Sequence, residues 1–370
     1  MPDPSGALYG ATTQGGTNGF GAVYKLSPPA QPGGTWNENV LYSFKGTGAD
    51  GKNPQGNLLL VGKKIYGTTQ QGGASGNGIV YELDPPSQAG GAWTETVIYT
   101  FTGGADGKDP VAGLILGKRG VLYGTATNGG DTNGDGVVFG LIPPASAGGT
   151  WTQHVLHAFQ GGSDGREPIA ALVSDSSGAL YGVTYQSGQY GFGGVYKLTP
   201  PASGSGPWSN TVLYAFQDGD DGGGPICTLV FDHAGALYGT TADFTQTTKG
   251  TVFQLVPPSG GSGSWTLNTL FAFQDGNDGG FPSSGVIFDT TGALYGNATQ
   301  GGSTGLGVAF KLTPPSSGSG AWTETVLHTF LGGNDGIFPY APLVLVGSTL
   351  YGTTNQGGVA NGGTAFQITP

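Results

Sequence analysis

The chain is poor in charge and nearly free of cysteine. Only 12 of its 370 residues are Lys or Arg and 23 are Asp or Glu, which gives a net charge of −11. An acidic chain is a poor match for nucleic acid or an anionic membrane, so we expect neither as a partner. Cys227 is the only cysteine and cannot form a disulfide within the chain. No apolar run approaches 18 residues, so we predict no membrane span.

Arginine and histidine are too scarce for several kinds of site. Arg119 and Arg166 are the only arginines, which disfavours both sialidase-like chemistry and lectin repeats that pair Trp with Arg and Glu. The four histidines have no metal-ligand spacing. His157 and His328 stand where other repeats have an aromatic residue, so we interpret them as packing variants. The remaining two are His154 and His233.

Glycine and aromatic residues are abundant by contrast. Glycine accounts for 76 of the 370 residues, whereas a share of roughly 7% is usual. The glycines have no three-residue period, which excludes collagen, and an aromatic content of 11% is too high for a disordered chain. We therefore expect the glycines to form turns in a folded protein with an aromatic core.

A Leu-Tyr-Gly motif recurs along the whole chain. Its tyrosines, counting one Ile-Tyr-Gly copy, are 57, 57, 58, 57, 57 and 56 residues apart, at Tyr9, Tyr66, Tyr123, Tyr181, Tyr238, Tyr295 and Tyr351. A fixed internal period of this kind indicates a solenoid, a propeller or an array.

Each repeat contains four short strand patterns. In one copy they cover residues 169–173, 180–184, 195–198 and 208–216, here named strands A, B, C and D. Turn residues separate them, and Pro200-Pro201 ends strand C because proline cannot donate to a ladder. No segment has a helical period. Tandem units of four strands predict an all-β fold, a β-propeller; a β-solenoid is the alternative.

The repeats predict one propeller domain over residues 1–370 with seven four-stranded blades of about 57 residues. The first and last blades are incomplete, because residues 1–4 leave little room for strand A and no strand D follows the last repeat. The alternative is six blades with a spare N-terminal hairpin. The expected blade ranges are 1–44, 54–101, 110–159, 168–216, 225–273, 282–330 and 339–370.

The repeat resembles the GloVer-type tandem repeat of secreted bacterial proteins. The shared pattern is Leu-Tyr-Gly-Thr-Thr, a glycine-rich loop, Val-Phe/Tyr-Lys-Leu, then Trp and a Val-Leu-Tyr-x-Phe strand. Residues 294–330 contain nearly all of this pattern. Residues 172–182 also resemble the inner strands of NHL-type propellers. The resemblance implies a secreted or cell-surface propeller without an assigned activity or catalytic residues. This sequence contains neither a signal segment nor an anchor, so we expect it to be trimmed or to begin within a repeat.

Loops B–C and the D–A crossovers should share one face, because alternate strands run in opposite directions. We name it the loop face and expect it to bind ligands, since it carries the longer and more varied loops. Every crossover contains Asp-Gly followed by Pro. We interpret each Asp as a side-chain turn and each Gly as a positive-φ residue, with a ring of cation-binding carboxylates as the alternative.

One loop departs from its siblings. Asp131, Asn133 and Asp135 fit the start of a calcium loop, with oxygen ligands at alternating positions and a glycine for the sharp turn. The downstream acid of such loops is missing, so weak Ca²⁺ binding is the expectation and a plain hairpin loop is the alternative. No cofactor is expected to be required.

Aromatic residues that do not repeat also fall on the loop face. Such rings can stack on sugars or on a protein partner, with local packing as the alternative. They are Tyr185, Tyr190, Phe192, Phe244, Phe281, Phe338 and Tyr340.

These patterns predict an extracellular or cell-surface, non-catalytic binding or structural propeller whose ligand is a glycan or a surface protein. One alternative is a self-assembling surface or filament subunit, a homo-oligomer that pairs through its incomplete blades. Another is a carbohydrate-active enzyme that uses loop-face carboxylates, namely Asp218, Asp220, Asp221, Asp275 and Asp278.

Overall fold

The chain folds as a seven-bladed β-propeller, which confirms the prediction. The computed structural model describes residues 1–31, 33–88, 90–146, 148–204, 206–242, 248–261, 263–316 and 320–370. Five blades have four antiparallel strands, and the first and last have three. The first three strands form a sheet of their own, so the six-bladed alternative is wrong. No helix in the described ranges has the length and apolar character needed to cross a membrane.

Each blade follows the predicted strand order. The strands of blades 1 to 3 are β1 (Leu8–Thr12), β2 (Ala22–Ser27), β3 (Asn37–Ser43), β4 (Gly51–Lys52), β5 (Leu59–Val61), β6 (Lys64–Thr69), β7 (Gln71–Gly72), β8 (Ile79–Asp84), β9 (Thr94–Thr100), β10 (Ile115–Leu116), β11 (Leu122–Ala126), β12 (Val137–Ile142) and β13 (Thr152–Ala158). Short β4 and β7 pair with each other beside blade 2.

The strands of blades 4 to 7 are β14 (Val173–Ser174), β15 (Leu180–Thr184), β16 (Gly194–Thr199), β17 (Ser209–Ala215), β18 (Val230–Phe231), β19 (Leu237–Thr241), β20 (Thr251–Val256), β21 (Thr266–Ala272), β22 (Val286–Phe288), β23 (Leu294–Ala298), β24 (Val308–Thr313), β25 (Thr323–Thr329), β26 (Val344–Val346), β27 (Thr349–Thr353) and β28 (Ala365–Ile368). Three single 3₁₀ turns cover Lys118–Gly120, Gly162–Asp164 and Gly333–Asp335.

Tertiary contacts divide the chain into two compact units. The first contains residues 1–161, 166–180 and 198–210, and the second contains residues 162–165, 181–197 and 211–370. The prediction of one domain with the stated blade ranges stays a prediction.

Strand A is shorter than the sequence predicts. In blade 4 only Val173–Ser174 is strand, whereas the apolar run begins at Ile169. The residues before it are held by side chains instead of by a ladder. Thr125 Oγ1 donates a hydrogen bond of 3.2 Å to the carbonyl of Ala170. An apolar run that is held in this way cannot be told from a ladder strand by composition.

The glycine of the Leu-Tyr-Gly motif makes room for a ring in its own sheet. Gly239 pairs with Phe253 on the neighbouring strand, and a Cβ added at Gly239 would lie 2.7 Å from the tip of the Phe253 ring. Gly124 pairs with Phe139 in the same way, also at 2.7 Å. The tip of the strand C aromatic ring therefore lies over the glycine of strand B.

A chain of edge-to-face aromatic contacts builds the core between blades. In the first unit, Phe101 from strand D of blade 2 packs on Phe139 from strand C of blade 3, with ring centroids 5.2 Å apart. In the second unit, Phe273 packs on Phe310 in the same way at 5.1 Å. All four rings are fully buried. Burial of one such side chain contributes about 1.5–3 kcal/mol and the ring geometry about 0.5–1.5 kcal/mol more.

Candidate functional site: the loop face

The crossover aspartates close turns, as predicted. Asp50 accepts hydrogen bonds from the Tyr42 hydroxyl at 3.0 Å and from the backbone N–H of Lys45 at 2.7 Å. Asp221 has the same arrangement with Tyr214 at 2.9 Å and the N–H of Gln217 at 3.0 Å. These carboxylates tie the end of strand D to the crossover.

Blade 6 uses a histidine for this bond. His328 Nε2 lies 3.0 Å from both carboxylate oxygens of Asp335, which also accepts the N–H of Leu331 at 2.8 Å. The imidazole also packs edge-to-face on Phe330. The interpretation of His328 as a packing variant was therefore incomplete, because the ring takes over the donor role of the tyrosine hydroxyl.

The residue before each crossover proline has a left-handed backbone. The φ values are 59° at Asn53, 56° at Asp109, 57° at Glu167 and 56° at both Phe281 and Phe338. Such values are uncommon outside glycine, and for a bulky side chain they mark a position that the surrounding structure must enforce.

A backbone bond between neighbouring blades enforces this conformation. The N–H of Phe281 donates to the carbonyl of Lys249 at 2.7 Å, and the N–H of Phe338 donates to the carbonyl of Leu306 at 3.0 Å. Both acceptors lie in the B–C loop of the preceding blade. These bonds hold each B–C loop against the following crossover on the loop face. They also fix the backbone positions of Phe281 and Phe338.

The aromatic side chains of the second unit differ in exposure. Phe281 is half-buried, and Lys249 Nζ lies 5.9 Å from its ring centroid, a cation–π distance. Phe192 is half-buried against the crossover, where a Cβ on Gly223 would lie 3.1 Å from it. Tyr190 in the same loop is 47% exposed. Phe244 lies outside the described residues.

Tyr340 and Tyr185 come together although 155 positions separate them in the sequence. Burial raises the pKa of the Tyr340 hydroxyl, and the nearby Tyr185 hydroxyl raises it further. The Tyr340 side chain is nevertheless 58% exposed. The sequence predicted both residues but could not show that their hydroxyls interact electrostatically.

The predicted calcium loop is a compact turn. Asp131 Oδ1 accepts the backbone N–H groups of Asn133 at 2.9 Å, Gly134 at 2.8 Å and Asp135 at 3.4 Å. Asp135 is buried. Within the described ranges no group of three or more His, Cys, Asp or Glu side chains is arranged to hold a metal. Ca²⁺ binding at this loop stays a prediction.

Two glutamates, each two residues after a tryptophan, have strongly raised pKa values. Burial raises the pKa of Glu95 to about 7, with Asp50 raising it further and Lys45 opposing. Burial also raises the pKa of Glu324 to about 7, with Asp278 as the second cause. One carboxyl oxygen of each is buried and has no hydrogen-bond partner among the described residues.

Both glutamates lie near the start of strand D. Glu95 pairs with Leu83, and Glu324 pairs with Leu312. Gln153, at the same position of blade 3, donates a hydrogen bond of 3.1 Å to the carbonyl of Asp106 in the preceding crossover. The position therefore joins a blade to the crossover before it. We assign the glutamates a structural role.

The fold and this face define a class, a repeat-built β-propeller with an aromatic loop face. The model of the Gloeobacter/Verrucomicrobia repeat matches residues 1–173 and 132–366, and the chain belongs to this repeat family. Comparison with curated proteins gives no match.

Solved structures share the fold at low sequence identity. PorZ, a surface component of the type-IX secretion system of Porphyromonas gingivalis, is 10% identical with a TM-score of 0.51, over 92% of this chain and 43% of that chain. This chain therefore spans less than half the length of the PorZ structure. A putative glucose dehydrogenase from Thermus thermophilus is 14% identical with a TM-score of 0.49, over 85% and 96% of the two chains. Sqt1 from Chaetomium thermophilum is 13% identical with a TM-score of 0.49, over 98% and 84%.

Proposed function

We propose that the protein is an extracellular or cell-surface, non-catalytic binding propeller, and that its loop face binds a glycan. The observation that carries this proposal is the exposure of tyrosine rings on the loop face, 47% at Tyr190 and 58% at Tyr340. Tyrosine offers an apolar ring for the face of a sugar and a hydroxyl for its polar groups. A surface protein that presents similar groups is the alternative ligand.

The carboxylates of this face favour binding over hydrolysis. Asp221 and Asp278 accept backbone N–H groups of their own turns, and Asp218 and Asp275 have left-handed backbones, with φ of 62° and 58°. A glycosidase needs one carboxylic acid with a raised pKa beside a second carboxylate. Two pairs come near this requirement, Glu95 with Asp50 and Glu324 with Asp278, but in each the aspartate already accepts a backbone N–H of its own turn. The carbohydrate-active enzyme therefore stays the alternative.

A glycan array tests the proposal. We expect the wild-type chain to bind a subset of glycans and expect Tyr340→Ala and Tyr185→Ala each to weaken that binding at least about 10-fold, the scale of one lost stacking contact and its hydrogen bond. Ile142→Ala is a suitable control, because Ile142 is an exposed apolar residue at 44% in the other unit. Unchanged binding by both tyrosine variants would contradict the proposal.

A second candidate, self-assembly, rests on the two three-stranded blades. Strand β28 pairs with β27 only, and among the described residues no strand covers its other edge. An uncovered edge can accept a strand from another chain. Light scattering at increasing protein concentration tests this candidate: growth in mass supports pairing between chains, and a constant monomer mass contradicts it.

A further inference from the structure

A cavity of about 430 Å³ lies in the first unit, between the A–B turns of blades 3 and 4. These turns are at the opposite end of the strands from the B–C loops. The volume lies within the range of about 300–1,000 Å³ that is usual for small-molecule sites. Its walls include Gly117, Lys118, Tyr123, Asp175, Ser177 and Trp208.

A glycine in blade 3 leaves the strand B tyrosine without the carboxylate that its counterpart in blade 5 has. The Tyr238 hydroxyl of blade 5 donates to Asp232 of the A–B turn at 3.2 Å. Gly117 has the position of that aspartate, six residues before Tyr123. Burial is the one cause that raises the pKa of the Tyr123 hydroxyl, whereas Asp232 also contributes at Tyr238. The Tyr123 hydroxyl therefore has no carboxylate partner among the described residues and can bond to a ligand.

Two aromatic rings form an apolar corner in this cavity. The ring centroids of Tyr123 and Trp208 are 5.9 Å apart, and the ring planes meet at 65°. Both side chains are half-buried. The Tyr123 ring leans over its own A–B turn, since a Cβ on Gly117 would lie 2.3 Å from it. The corner therefore offers two ring surfaces to a ligand.

The charges in the cavity walls cancel. Lys118 contributes a cation and Asp175 a carboxylate. Asp175 Oδ1 accepts the hydroxyl of Ser177 at 2.5 Å and the N–H of Ala179 at 3.0 Å, so this carboxylate belongs to its own turn. A ligand with a net charge would meet a like charge in one wall or the other. The walls therefore favour an uncharged ligand that carries hydroxyl groups.

We propose that this cavity binds a neutral pyranose. The C–H face of the sugar ring would pack in the corner of Tyr123 and Trp208. Its hydroxyls would bond to the Tyr123 and Ser177 hydroxyls and to the Lys118 ammonium. A flat aromatic ligand could fill the same corner but has few groups for these polar atoms. The site does not depend on the function proposed for the loop face.

Saturation-transfer NMR titration with methyl β-D-glucoside tests the proposal, with D-glucuronate and D-glucosamine as charged counterparts. We expect a Kd of about 1 mM for the neutral sugar, typical of one small ligand with few contacts. The charged sugars should each bind at least about 3-fold more weakly, because each meets a like charge in the walls. Absence of binding of the neutral sugar up to about 50 mM, or equally tight binding of either charged sugar, would overturn the proposal.

Gly117→Asp tests the position of the site. Gly117 has an extended backbone with φ of −98°, so the aspartate of blade 5 can be restored there without backbone strain. The new Cβ would displace the Tyr123 ring, and we expect the affinity for methyl β-D-glucoside to fall at least about 10-fold. Ser176→Asp is the matched control, because it adds the same charge at an exposed residue outside the walls. Unchanged affinity in a folded Gly117→Asp variant would refute the site.

Trp208→Ala tests the aromatic corner. Trp151→Ala is the matched control, because Trp151 forms the same kind of corner with Tyr66, with ring centroids 6.2 Å apart. Trp208→Ala should abolish measurable binding, and Trp151→Ala should leave the Kd unchanged, with circular dichroism confirming that both variants fold. Loss of binding in both variants, or in neither, would place the sugar elsewhere and contradict the proposal.

The cavity and the loop face can be tested separately. With a Kd of about 1 mM the cavity would be only about 1% occupied at about 10 µM glycan, so tighter binding to the loop face is measured without it. Tyr340→Ala should leave the binding of methyl β-D-glucoside unchanged. Loss of that binding in Tyr340→Ala would assign the sugar to the loop face and overturn the separate site.

Discussion

The raised pKa values of Glu95 and Glu324 predict an unusual pH dependence of the free energy of unfolding. Each has its pKa raised from 4.5 to about 7 in the folded state. The folded state therefore holds these protons more tightly than the unfolded chain does. The resulting stabilisation is fully present below pH 4.5 and is lost as the pH rises through about 7.

The size of the effect follows from the shift. A change from 4.5 to about 7 corresponds to about 3 kcal/mol in a fully buried site. Both side chains are partly exposed, so solvent screening reduces this to about 1–2 kcal/mol for each glutamate. Stability should therefore fall by about 2–4 kcal/mol in total between pH 4.5 and pH 8 from these two groups.

This effect can be measured by urea unfolding from pH 4.5 to pH 8.5. The wild type is compared with the double variant Glu95→Gln/Glu324→Gln. The amide resembles the protonated carboxyl, so the two proteins should have similar stability near pH 4.5. At pH 8.5 the variant should be more stable by about 2–4 kcal/mol, because it has no proton to lose. Glu38→Gln is the control, since Glu38 has the corresponding position in blade 1 and is exposed. Parallel stability curves for wild type and double variant would refute the reasoning.

Further predictions concern the turns, the motif glycine, the strained crossover and the metal loop. Tyr214→Phe should cost about 1–2 kcal/mol in urea unfolding, because the Asp221 carboxylate loses a donor; no loss would show that the bond is not needed. Gly239→Ala should cost about 1–3 kcal/mol, because its Cβ would meet the Phe253 ring at 2.7 Å, and a neutral result would contradict the packing described. Phe338→Asn should stabilise the fold by about 1 kcal/mol, because asparagine tolerates the φ of 56° better; destabilisation would show that the ring packs. Calorimetry with Ca²⁺ should give weak binding that Asp135→Ala removes, and absence of heat in the wild type would eliminate the metal site.

The period and the strand chemistry made the fold predictable. Evenly spaced copies of Leu-Tyr-Gly set the number of blades, and proline and glycine marked the ends of strands B, C and D. The predicted strand A was too long. An apolar segment that is held by hydrogen bonds from side chains such as Thr125 has the same composition as a strand paired in a sheet. Hydrogen-bond partners cannot be read from composition.

The candidate sites were less predictable, because they depend on contacts between distant residues. Tyr185 and Tyr340 were both predicted, yet only the folded chain makes them neighbours. The motif glycine accommodates a ring such as Phe253 from its own sheet, a contact that only the folded chain shows.

Hydrogen–deuterium exchange with and without a glycan identified on the array tests the central claim most directly. The account predicts that bound glycan slows exchange in residues 185–192 and 338–340, the segments that carry Tyr185, Tyr190 and Tyr340, and leaves the A–B turns unchanged. Slowed exchange elsewhere, with residues 185–192 and 338–340 unaffected, would contradict the claim that the loop face binds the ligand.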